Sequence, residues 1–121
     1  MSNENLGKTL RYFRRLHDIE LKQMAAYLGI SAKRYSMMER GESGLTMATF
    51  WKAVEILKLE MQAIPLRPGS KYHYHEVDEV LRQKNARTSK LFKKCKEIGI
   101  TITLQPMRST IKYEHTIVMG E

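Results

Sequence analysis

Apolar residues recur at helical spacing through most of this chain, and the period changes to two near its end. Leu6, Leu10, Phe13 and Leu16 stand three and four residues apart, which predicts a helix over 5–17 with those side chains inside. Lys8, Arg11, Arg14 and Arg15 fall mostly on its other faces. A second helix is expected over 21–28, with Met24, Ala25 and Leu28 inward, and a third over 32–40, with Tyr35 and Met38 inward. Thr46 can cap a fourth, whose inner side is Met47, Phe50, Val54 and Leu57, broadened by Trp51 and Ile56. A short fifth helix near 60–64 adds Met61 and Ile64. Two prolines and a glycine in 65–70 then stop any helix.

Beyond that break, 76–86 and 88–98 read as helices. Val77, Val80 and Leu81 form one apolar face, and Leu91, Phe92, Cys95 and Ile98 the other. The Thr88-Ser89 pair can cap the second of these and Gly99 can end it. Ile100, Ile102 and Leu104 alternate with polar residues, as a half-buried strand requires. A second alternating run, 111–119, carries Ile111, Tyr113, Ile117 and Met119. The two runs suggest a β-hairpin, which needs the preceding helices or a second copy to cover it. The domain division expected is therefore 1–64, a linker at 65–75, and an α+β dimerisation or accessory region over 76–121.

The segment between the second and third helices carries the functional signal. Ala25 lies one turn before Leu28-Gly29, where two helices cross closely. Gly29 supplies the turn, and Ser31 can cap the next helix. Gly41 can take the left-handed position after it. A short helix, a glycine turn and an amphipathic helix also occur in α-domains that never meet DNA. The specific pattern is Ala25-x-x-Leu28-Gly29-Ile30-Ser31 followed by Tyr35-Ser36-x-Met38-Glu39-x-Gly41, with Leu6-Gly7-x-x-Leu10-Arg11-x-x-Arg14 before it. It resembles the helix-turn-helix family of phage Cro and cI repressors, the XRE family, over about residues 5–64. The fold implied is mainly α: a five-helix lambda-repressor-like domain, followed by the small α+β appendage with its C-terminal hairpin.

The resemblance implies a third helix lying in the major groove of double-stranded DNA. Carried over by position, its base contacts are Ala32, Lys33, Ser36 and Met37. Lys33 can donate to guanine, whereas Ala32 and Met37 offer only apolar contact. Ala32 can equally be there for helix propensity. Phosphate contacts fall on Lys22, Ser31, Arg34 and Arg40. Leu21 occupies a slot where the family often has glutamine, so that contact passes to Lys22 or the helix terminus. Glu39 takes a structural role, since a carboxylate would repel phosphate.

Charge agrees with a polyanionic partner. The chain has 121 residues and a formal net charge of +8. Residues 82–96 hold seven Lys and Arg and no acid. Such a run is either a solvated helix face or an accessory phosphate patch, built from Arg82, Arg87, Lys90, Lys93 and Lys94. A single cysteine, Cys95, allows no internal disulfide and fits a reducing compartment. His73 and His75 form an H-x-H pair too sparse to define a metal site, and His115 is remote from them in sequence. No catalytic motif is found, so neither cofactor nor metal nor enzymatic activity is expected. No apolar run is long enough to span a membrane, and the start lacks signal-peptide features. The expected location is therefore the cytoplasm of a bacterium, or a phage or mobile-element product.

These readings converge on a sequence-specific transcriptional regulator, a repressor that binds a two-fold operator as a homodimer. Two others stay open: an antitoxin that binds a toxin protein and autoregulates its genes, and a low-specificity plasmid or nucleoid DNA-binding protein.

Overall fold

The computed structural model describes residues 1–66 and 74–107. Helices α1 (Asn3–Leu16), α2 (Leu21–Leu28), α3 (Ala32–Glu39) and α4 (Met47–Ile56) are followed by strand β1 (Leu59–Pro65). Then come α5 (Tyr74–Arg82), α6 (Thr88–Ile98) and β2 (Ile100–Pro106).

The first four helices start and stop where local chemistry says they should. Ser2, Ser31 and Thr46 cap α1, α3 and α4 by accepting a bond from a first-turn amide. Glu20 and Gln23 cap α2 reciprocally, Gln23 Oε1 accepting from the Glu20 amide at 3.0 Å. At the end of α3, the Gly41 amide bonds the Met38 carbonyl and the Glu42 amide bonds the Met37 carbonyl, with Gly41 at φ 78°. This double closure is the Schellman pattern, which a residue without Cβ enters free of strain.

Two expectations for α1 need correction. Leu16, the last residue of the helix, is 61% exposed, although Phe13 and Arg14 in the same turn are buried. Arg14, expected outside, is buried. Gly7 explains the close approach of α1 to α3: a Cβ there would stand 2.5 Å from the carbonyl oxygens of both Met38 and Glu39. Only glycine permits that crossing.

The expected fifth helix at 60–64 is instead strand β1. Leu57 closes α4, Lys58 turns the chain at φ 52°, and the residues after it alternate Leu59, Met61, Ala63 inward with Glu60 and Gln62. Leucine, glutamate, methionine, glutamine and alanine favour helix on their own. A strand forms because β2 offers a partner, pairing antiparallel with Met61 opposite Leu104 and Ala63 opposite Ile102. Strand β2 therefore has β1 as a partner. The run 111–119, with which a hairpin was expected, lies outside the described residues, as do His73 and His115.

One core joins both halves of the chain. It runs from Leu6, Leu10 and Phe50 through Leu57 and Leu59 to Val77, Leu91, Ile100 and Ile102. The stretch 65–75, expected as a linker, begins at Pro65, the exposed last residue of β1, and 67–73 lie outside the described residues. Trp51 adds a tie, its indole N–H donating to the Leu81 carbonyl at 3.0 Å.

Candidate nucleic-acid interface

Helix α3 presents a divided surface because its packing side is fully committed. Tyr35, Met38 and Glu39 are buried, while Lys33, Arg34 and Arg40 are exposed. Ala32, Ser36 and Met37 are half-buried between the two sides. Ala32 also packs against the core, so helix propensity and packing account for it without DNA. Lys33 and Arg34 make no ion pair among the described residues, which leaves two cations open near the start of the helix.

The buried side is held by an ion pair. Arg14 Nε donates to Glu39 Oε2 at 2.7 Å and Nη2 to Oε1 at 3.0 Å, a two-pronged contact. Its remaining Nη1 donates to the Ile19 carbonyl at 2.9 Å. The bond to Glu39 outweighs burial and raises the guanidinium's pKa further. The Tyr35 hydroxyl is buried nearby, beside the Glu39 carboxylate. Burial first, and the Glu39 carboxylate second, hold its pKa well above the ordinary phenol range. The cluster fixes α3 against α1 and the turn after α1, so the exposed cations are carried on a rigid platform.

The candidate phosphate ligands differ in availability. Ser31 Oγ already accepts from the Arg34 amide at 3.1 Å, but its proton remains free to donate. Lys22 is exposed on the first turn of α2, while Leu21 beside it is half-buried. The α2 start is already capped by Glu20, an acid that sequence reading did not single out. Arg40 is 3.2 Å from Glu42, an exposed pair that phosphate must displace.

Sequence reading placed Arg11 and Arg15 off the apolar face of α1 and gave them no further role. They line a cleft of about 230 Å³ with Leu21, Ser36 and Arg40, which puts two more exposed cations beside α3. Their i, i+4 spacing opposite the apolar stripe of α1 was the available signal.

The basic run 82–96 is not one stripe. Arg82, Lys84, Arg87, Lys90, Lys93 and Lys96 are exposed, whereas Lys94 is half-buried and lies 3.3 Å from Glu97. The Thr88-Ser89 pair does not cap α6. Arg87 is the N-cap residue, and Thr88 is fully buried with its hydroxyl engaged elsewhere. Cys95 is buried, and burial raises its thiol pKa. Among the described residues no three His, Cys, Asp or Glu are grouped to hold a metal. Nor is any helix there long and apolar enough to cross a membrane.

This arrangement, two short helices joined by a left-handed glycine turn with cations exposed on the second, defines a helix-turn-helix. Residues 10–64 of the chain match the helix-turn-helix family HTH_3. Over 74 residues the chain is 32% identical to the HTH-type transcriptional repressor RghR of Bacillus subtilis (strain 168), an overlap of 60% of this chain and 55% of that protein. The chain thus spans about half the length of this curated relative. No solved structure matches it significantly.

Proposed function

We propose that this protein is a DNA-binding transcription regulator that acts as a repressor. Carrying the reading is one observation: the exposed, unpaired Lys33 and Arg34 lie at the start of the second helix of the motif, on a platform locked by Arg14 and Glu39. That end of the helix meets the base edges when it enters a major groove. Lys33 donates to guanine O6 and N7, Ser36 bonds a base edge, and Met37 with Ala32 contacts a thymine methyl. Lys22, Ser31, Arg34 and Arg40 hold phosphates and fix the register. Arg11 and Arg15 join them.

A homodimer on a two-fold site puts the two helices about 34–36 Å apart, one turn of DNA. The bound dimer then excludes polymerase by occupying the promoter. The kinship to a named transcriptional repressor supports this sign of regulation.

The test is a footprint, with quantitative titration, on the DNA flanking the protein's own gene, against random duplex. Protection of a palindromic site, at an affinity about 10³-fold or more above random DNA, is the expected result. Equal affinity for all duplexes would leave a low-specificity DNA-binding protein. No binding to any duplex would defeat the reading.

A further inference from the structure

The geometry points to a second phosphate-binding arm on the loop between α5 and α6 and the first turn of α6, formed by Lys84, Arg87 and Lys90 and locked to the segment that follows the recognition helix. It rests on the DNA-binding reading of α3 and extends it to residues outside the helix-turn-helix.

The lock is built from the backbone upward. Three residues after Gly41 ends α3, the chain reaches Gly44, Leu45 and Thr46. Here it is stitched to 84–88. The Met47 amide donates to the Ala86 carbonyl at 2.7 Å, and the Ala48 amide to the Lys84 carbonyl at 3.1 Å. Thr46 and Arg87 form an isolated antiparallel bridge. The Thr88 amide donates to the Leu45 carbonyl at 2.8 Å, and Thr88 Oγ1 accepts from the Leu45 amide at 3.1 Å. That same hydroxyl donates to Asn3 Oδ1 at 2.8 Å, which ties in the start of α1. Arg87 Nη2 donates to the Gly44 carbonyl at 3.1 Å. A Cβ on Gly44 would sit 2.8 Å from Thr88 Oγ1, so the approach is as tight as the chain allows.

Two consequences follow. The opening amides of α4 are already occupied, Met47 and Ala48 by carbonyls and Thr49 by the Thr46 hydroxyl, so they are not available as anion donors. Cationic side chains border the same spot instead. Lys84 and Arg87 flank the stitched backbone and are exposed, and Lys90 Nζ folds back to Gln83 Oε1 at 3.0 Å. None of the three forms an ion pair among the described residues. Further along α6 the basic run has other surroundings. Lys93 and Lys96 line a separate cleft of about 470 Å³ with Asn3, Phe92 and Ile100. The arm therefore comprises the front of the run alone. Cations fixed by this stitch to residues 44–48, the segment after the recognition helix, hold the sugar–phosphate strand that borders the groove the helix fills.

The experiment compares two charge-matched double variants of the full chain. One is Lys84→Gln with Lys90→Gln; the other is Lys52→Gln with Lys58→Gln, exposed lysines at α4 and just after it. Arg87 is left intact because it also holds Gly44. Binding to the footprinted site and to random duplex is titrated from 0.05 to 0.3 M salt, with thermal unfolding to verify folding. Losing two phosphate contacts lowers the slope of log K against log salt by about 1.8, which at 0.15 M is about 30-fold in affinity if the 1 M intercept is unchanged. The Lys84/Lys90 variant should show this on both DNAs, with its preference for the specific site intact. The Lys52/Lys58 variant should keep the wild-type slope. Equal slopes in the two variants, or a wild-type slope in the first, would overturn the arm while leaving α3 as the reader. Failure of the wild-type chain to bind any duplex would instead remove the DNA reading and the arm together.

Discussion

Replacing Glu39 by alanine removes the acceptor for two of the three bonds that Arg14 makes. The Arg14 side chain is 9% exposed and that of Glu39 5%, so both are largely withdrawn from water. Nη1 keeps the Ile19 carbonyl, but Nε and Nη2 are left without partners in a packed interface. Breaking a buried pair from one side typically costs about 3–5 kcal/mol, chiefly the penalty of an uncompensated charge. Against a total stability of about 5–15 kcal/mol, such a loss is a large fraction of the margin. The double replacement Arg14→Met with Glu39→Met removes both charges and keeps the volume. It should lie within about 1–2 kcal/mol of wild type, because a buried pair and its apolar substitute are often near balance. Urea unfolding, followed by helical circular dichroism and by the fluorescence of the single tryptophan, Trp51, gives all the free energies of the cycle. A Glu39→Ala cost below about 1 kcal/mol, the worth of a surface pair, would refute the argument. So would a double variant whose loss is the sum of the two single losses.

Gly7→Ala should destabilise by about 1–3 kcal/mol or more, because its Cβ meets two backbone carbonyls of α3 at 2.5 Å and neither can rotate away; unchanged urea unfolding would show that α1 can slide. Ile102→Ala, in a side chain 1% exposed, should cost about 2–5 kcal/mol. It should lower the Trp51 and circular dichroism transitions together, since one core serves both halves; two separated transitions would mean independent domains. Lys33→Ala should weaken specific binding by about 1–3 kcal/mol and relax one base position. An equal loss on random DNA would reduce Lys33 to a phosphate contact.

The sequence by itself carried the helix-turn-helix, because nearly everything that shapes it is local. Apolar residues at helical spacing, Ser31 and Thr46 at helix starts, and Gly29 and Gly41 in left-handed turns each act within a few residues of themselves. The same locality put Lys33 and Arg34 on the open side of α3, while the family resemblance assigned Glu39 to the scaffold. Tertiary structure decided the rest, and each case has a partner distant in sequence. Residues 59–65 favour helix by composition and form a strand because β2 pairs with them. Arg14 appears to the local eye as one more basic residue on a helix face, and is buried only because Glu39, 25 positions away, neutralises it. Thr88 resembles a cap, yet its hydroxyl bridges Leu45 and Asn3. The basic run 82–96 is continuous in sequence, and the fold divides it by stitching 84–88 to the start of α4. Periodicity registers which side of an element is apolar; only the folded chain determines which distant group meets it.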